Sequence, residues 1–356
     1  MVRAIADWDL AARVAWSVAS RRPVRASRTE VAQLREDVQR IAVRADGLSR
    51  AATGLGTQLP PAEVVVIGRR RWIRNNVESL SWLLDPVSER LMHRGQVASA
   101  MTRRTLGLQV GVVLGFLATK VLGQYEVFLP GGRTPGRLLL VGPNLLDVER
   151  RVLPPVGVAA AEFRLGVVLH ELAHRLQFEA VPWMRPHLQG IVDRYLAEAR
   201  FDPERMREAA ARIRKLLQDP SALTDAAKLA EVVLTPEQAV HIKQAQSLMS
   251  LLEGHGNVVM DWGAELTGGE LDPTRVRTAL NERRNTSTGV DGLLRRMLGV
   301  SMKARQYEVG EKFILAVADG HGRELFARVW DDPAHLPTED ELADPDSWAW
   351  RIAQAA

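Results

Sequence analysis

The sequence predicts a mainly helical α+β chain, with a small sheet set among many helices. Three observations carry that reading. Apolar residues recur at helical spacing through most of the 356 residues. Only two short stretches, "GQYEVFLP" and "GRLLLVGPN", read as strands. And "GVVLHELAHRLQFEA" sets two of the chain's eight histidines four residues apart in an otherwise apolar helix, with a glutamate beside the first.

The helices follow in order. "SRTEVAQLREDVQRIAVRADGL" opens with Ser27 three residues before Glu30, a capping-box pattern. "RRWIRNNVESLSWLL" is amphipathic and is expected to end before Pro86. "TLGLQVGVVLGFLATK" is apolar, but it is shorter between charges than the about 20 residues of a membrane span. Its Gly107, Gly111 and Gly115 recur every four residues, so one face admits a close neighbour. It is expected to be a buried core helix and not a span. The two strands come next, separated by the turn-rich "GGRTPG" and expected to be neighbours. After the two-histidine helix, a polar helical region runs from about Pro182 to Leu234. Thr235, Pro236 and Gln238 then make a capping pattern that starts a long helix near Pro236. "NERRNTSTGVDG" reads as a polar loop. Beyond Gly299 further helices follow, broken at "DDPAHLPTEDE" and "ADPDS". A single domain over 1–356 is expected, divisible into an N-terminal lobe, 1–180, and a helical C-terminal lobe, 181–356.

Composition excludes several function classes. A hydrophobic content of 46% supports a core of real size. The net charge is +4 and the pI about 9.7, but acids are nearly as many as bases, which is a mixed surface. The basic runs in "NERRNTSTG" and "LLRRMLG" are short and flanked by acids, so no nucleic-acid partner is expected. The absence of cysteine excludes disulfides, thiolate zinc sites and cysteine nucleophiles. It fits a reducing interior, and a cytoplasmic location is expected. "MVRAIADWDLAARVAWSVAS" carries acids where an export signal needs an apolar run.

His170 and His174 lie one turn apart on one helix face, with Glu171 near the same edge. In this H-E-x-x-H arrangement two imidazoles hold zinc and the glutamate acts on a water. Two histidines on an apolar helix need a metal or polar partners in any case. A third protein ligand has to come from elsewhere. Gln177 and Ala180 stand where the metzincin extension would place glycine and histidine, so that subclass is excluded. "SLLEGHGNVVMD" offers Glu253, Asn257 and Asp261 on one helical face. Glu253 would ligate, and Asn257 or Asp261 would orient a ligand histidine through its other ring nitrogen. His255 is the alternative ligand, if Gly254 and Gly256 distort the helix. His255 and Tyr307 are also candidate donors to a developing oxyanion.

These segments, with "DWDLAARVA", "LGQYEVFLP", "LLLVGPNL", "LHELAHRLQFEAVPW" and "MKARQYEVGEKFI", resemble the zincin-like metallopeptidases of type 2 over nearly the whole chain. The chain looks most like the branch named for biosynthesis of the deazaflavin coenzyme. The chain shows no Gly-rich phosphate loop at a strand-to-helix junction, so nothing in it reads as a deazaflavin site. The resemblance implies a zincin-like fold, the H-E-x-x-H helix beneath a small sheet, within a surrounding helical bundle. It implies His170 and His174 as zinc ligands and Glu171 as catalytic residue; it does not settle the substrate, which is expected to be a peptide or amide. In zincins a strand at the sheet edge pairs with extended peptide, and Leu138 to Gly142 are expected to supply it. The rival reading is a catalytically silent, zinc-stabilised scaffold or partner-binding protein.

Overall fold

Three short strands, β1 (Val64–Ile67), β2 (Gly123–Tyr125) and β3 (Leu138–Val141), form a sheet in the order β1-β3-β2. They belong to a computed structural model that describes residues 4–93, 99–128, 136–197, 236–285 and 300–354. Helices carry most of the described chain, so the mainly helical class with a small sheet holds. Contacts divide the chain into two units, Met1–Ala180 with Val259–Ser287, and Val181–Val258 with Thr288–Ala356.

In the first unit β3 is the central strand, parallel to β1 and antiparallel to β2. The edge role expected for Leu138 to Gly142 is therefore corrected: both sides of β3 are hydrogen-bonded, and Gly142 already begins a helix. Four consecutive buried residues, Leu138 to Val141, are what a strand covered on both faces requires. Side chains alternate across it. Leu138 and Leu140 join a core with Leu34 and Val38 of α2 (Arg28–Thr53) and with Val168, Leu169 and Leu172 of α7 (Ala160–Glu179). Leu139 and Val141 join a second core, with Ala15 of α1 (Trp8–Ala19), Ile73 and Val77 of α3 (Arg69–His93), and Leu114 of α4 (Ala100–Leu117). The sheet thus lies between two helical layers. α5 (Gly142–Arg151) and α6 (Leu153–Val156) lead from β3 to α7.

The expected capping box forms: Ser27 Oγ accepts from the Glu30 amide at 3.1 Å and Glu30 Oε2 accepts from the Ser27 amide at 2.7 Å. The helix expected to stop before Pro86 instead continues to His93. Pro86 is exposed, so the carbonyl it leaves unpaired one turn earlier can meet water. Asp85 Oδ1 accepts from the Ile5 amide at 3.2 Å and Trp8 Nε1 at 3.0 Å, which ties this turn to the start of α1. The glycine stripe of α4 meets the backbone of α1. A Cβ at Gly111 or Gly115 would lie 2.7 Å from the Ala11 carbonyl oxygen and 2.6 Å from that of Ala15 respectively. Small residues on both helices, four apart, let the backbones touch. α4 is nevertheless only half covered, with Leu108 49% exposed. No helix among the described residues is long and apolar enough to cross a membrane.

The second unit is helical among its described residues. α8 (Met184–Ala197) begins it. α9 (Pro236–Glu265) starts at the predicted proline and contributes its last turns to the first unit. α10 (Pro273–Asn285) also belongs to the first unit, and it carries helix into the stretch expected as a loop. α11 (Val300–His321), α12 (Arg323–Ala327), α13 (Glu339–Ala343) and α14 (Pro345–Gln354) complete the second, broken near the two predicted points. Phe313 and Trp348 meet edge to face in its core, ring centres 5.4 Å apart. The Thr235 cap and the region 198–234 lie outside the described residues.

Candidate metal centre

α7 is buried along most of its length, with Val167, Val168, Leu169, Leu172, Ala173 and Leu176 all in the core. On such a helix the polar residues have to be accounted for one by one. His170 and His174 stand one turn apart, ring centres 5.0 Å apart and planes at 88°. The last turns of α9 pack on the same helix. A Cβ at Gly166 would lie 3.1 Å from Met260 Sδ, and one at Gly263 would lie 3.2 Å from Leu169 Cδ1. α9 is one unbroken helix, and it carries Glu253. One potential ligand atom each from His170, His174 and Glu253 lie within 4.8 Å of one another. All three residues are half-buried.

The donor set fits zinc. Two imidazoles and one carboxylate match the borderline softness of the ion and are the residues that would hold it. Among the described residues this is the group of histidine and carboxylate side chains placed to hold a metal.

The rest of α7 fixes its rotation about its own axis. Arg175, 2% exposed, follows the second histidine. Its guanidinium donates to Glu179 Oε2 and Asp46 Oδ1, each at 2.9 Å, and to the Pro60 carbonyl at 2.5 Å. Glu179 Oε1 accepts from the Tyr125 hydroxyl at 2.6 Å. A buried cation is tolerated because carboxylates on two helices neutralise it. The same contacts hold α2, α7 and the edge strand β2 in one register. β2 approaches α7 a second time at Gly123, where a Cβ would stand 2.5 Å from Glu171 Cγ and 2.8 Å from its Oε1. The absence of a side chain there is what lets the Glu171 carboxylate lie against the strand.

The other sequence candidates fall as follows. Asn257 Nδ2 donates to Glu311 Oε2 at 2.7 Å, and Asp261 Oδ1 accepts from Arg277 at 2.8 Å. The helix runs unbroken through the glycines around His255. Gly254 serves instead as the point where α9 crosses α11 against the backbone of Gly310 and Glu311. The His255 ring is 1% exposed, with centres 4.8 Å from Trp330 and 5.9 Å from Phe326. The side chain of Tyr307 lies outside the described residues. The sequence reading missed Gln177 as a partner of His174. Its Oε1 stands 2.9 Å from His174 Nδ1. The i, i+3 spacing on a buried helix is the signal that could have found it.

An H-E-x-x-H helix beneath a small sheet, with a carboxylate brought in from a second helix, has the donor chemistry of the zinc hydrolases. The chain belongs to the zincin-like metallopeptidase family, whose family model matches residues 6–349. It is also similar to a crystal structure from Chloroflexus aurantiacus described as that of "a putative hydrolase with a novel fold". The two are 28% identical, with a TM-score of 0.70 over 98% of this chain and 99% of that one. No match is found among curated proteins.

Proposed function

We propose that the chain is a zinc-dependent hydrolase of peptide or amide bonds, with His170, His174 and Glu253 as ligands and Glu171 as general base. The observation that carries this reading is the convergence of the three ligand groups on the helix that also bears Glu171. Zinc held there would supply Lewis acidity for activating a water and polarising a carbonyl. Glu171 takes the water proton and later gives it to the leaving amine. Its carboxylate is steered by the close approach of Gly123. β2, as an edge strand next to α7, is where an extended peptide pairs by main-chain hydrogen bonds. His255 and Tyr307 are the two candidates for a further donor to the developing oxyanion. Glu253 is preferred to His255 as third ligand because its carboxylate converges with both imidazoles, while the His255 ring is packed on Trp330.

The test is a set of single substitutions. Glu171→Gln is expected to keep one zinc per chain and abolish hydrolysis of a peptide library. His170→Ala, His174→Ala and Glu253→Ala are expected to lose zinc to a competing chelator, with His255→Ala near native. Hydrolysis by Glu171→Gln at the native rate would remove the general-base role. If His255→Ala lost zinc while Glu253→Ala kept it, the ligand assignment would reverse.

A further inference from the structure

We propose that Gln177 is the positioning residue that selects which ring nitrogen of His174 is available to a metal, and that it tunes how tightly the metal is held. The proposal rests on the zinc reading above. Gln177 lies three residues after His174 on α7, so the two side chains are neighbours on the helix surface. Its side chain is fully enclosed, 0% exposed, and its Oε1 is 2.9 Å from His174 Nδ1. An amide oxygen can only accept a hydrogen bond. Nδ1 therefore carries the proton in this pairing, and Nε2 keeps the lone pair that a metal needs. The reversed amide would donate to Nδ1 and place the proton on Nε2, which removes that lone pair.

The identity of the partner has a second consequence. Metal-binding histidines commonly donate their other N–H to a carboxylate, carbonyl or water, and a carboxylate raises the basicity of the ring. Gln177 gives the same orientation without a charge. The ring is then a weaker donor than one backed by a carboxylate. A metal at this site would be held less tightly than one bound by a carboxylate-backed ring. No step of hydrolysis passes through Gln177; it acts only through His174.

The test compares native protein, Gln177→Glu and Gln177→Leu by two readouts. Nitrogen-15 NMR of histidine-labelled, metal-free protein reports the tautomer of His174. Chelator competition reports zinc affinity, at about pH 8.5, where protons no longer compete for the imidazole. The native ring is expected as the Nδ1–H tautomer, and Gln177→Leu as a mixture. Gln177→Leu is expected to weaken zinc binding by about 10–100-fold, and Gln177→Glu to strengthen it relative to native. A purely structural role would lower the melting temperature in both variants and leave the tautomer and the affinity of the folded protein unchanged. If Gln177→Leu does not fold, the near-isosteric Gln177→Glu decides, because an affinity at or below native in that variant overturns the proposal. If native protein binds no zinc, the zinc reading fails, and the tautomer comparison still decides the role of Gln177. An Nε2–H tautomer in native protein, or one unchanged in Gln177→Leu, overturns it.

Discussion

Gly123→Ala tests whether the edge strand positions Glu171, the proposed general base. The new Cβ would lie 2.5 Å from Glu171 Cγ, 2.7 Å from Cδ and 2.8 Å from Oε1. Carbon atoms in contact prefer about 3.5–4.0 Å, so the Glu171 side chain has to move by about 1 Å. The strand has little freedom to yield in its place, because the Tyr125 hydroxyl is bonded to Glu179 on the same helix. Forcing Glu171 off its rotamer costs about 0.5–1.5 kcal/mol. Gly123 has no positive φ, so alanine returns about 0.4–1 kcal/mol through the unfolded chain. Net stability is therefore expected to change little. Catalysis is another matter, because a misplacement of about 1 Å is worth about 100-fold in rate. The assay is kcat/KM on a fluorogenic peptide, with zinc content by elemental analysis and a thermal melt as controls. The expected result is a fall of about two orders of magnitude with zinc retained. A native kcat/KM in zinc-loaded Gly123→Ala would refute the reasoning, since Glu171 would then work equally well from another position.

Three further variants test the scaffold. Gly111→Ala gains about 1 kcal/mol of helix propensity but drives a methyl into the Ala11 carbonyl and Val14, an overpacking cost of about 1–3 kcal/mol, so denaturant unfolding should show a net loss. Gly47→Ala on α2, where a Cβ meets nothing within 4 Å, should stabilise by about 1 kcal/mol, and equal effects at the two sites would remove the close-packing argument. Burial pushes the Glu341 carboxyl up, but the Arg351 guanidinium and the capped Thr338 amide outweigh it and hold it below its ordinary 4.5. Its folded value is depressed, so the stabilisation is present above the unfolded value and is lost as pH falls through the folded one. Acid titration of stability should show a smaller loss below about pH 4.5 in Glu341→Gln than in native protein, and superimposable profiles would contradict it.

What the sequence disclosed was what depends on neighbours within a few turns. The H-E-x-x-H pair, the Ser27–Glu30 capping box and the start of α9 at Pro236 are set by local spacing, and all were legible. The glycine stripe of α4 was legible as a close-approach face, although its partner, Ala11 and Ala15 of α1, was not. The pairing of β2 with β3 was legible, because only a turn-rich stretch separates them, but β1 and its parallel pairing with β3 were hidden, because β1 lies far from β3 in sequence and leaves no local mark. The apolar run Leu138 to Val141 was the available clue to a central strand, since an edge strand with one wet face would alternate. Gly254 was ambiguous in the same way: glycine signals a bend or a close neighbour equally, and only the position of Gly310 on α11 resolves it. Pro86 misled because a proline in a helix is tolerated where its turn is exposed and tied by tertiary contacts such as those of Asp85.

The central claim is that one zinc ion is shared by α7 and α9. A zinc-edge anomalous difference map from crystals of zinc-loaded native protein tests it most directly. The account predicts a peak about 2.0–2.2 Å from one nitrogen of His170, one nitrogen of His174 and a carboxylate oxygen of Glu253. A peak bound by His255 in place of Glu253, or no peak between the two histidines, would contradict it.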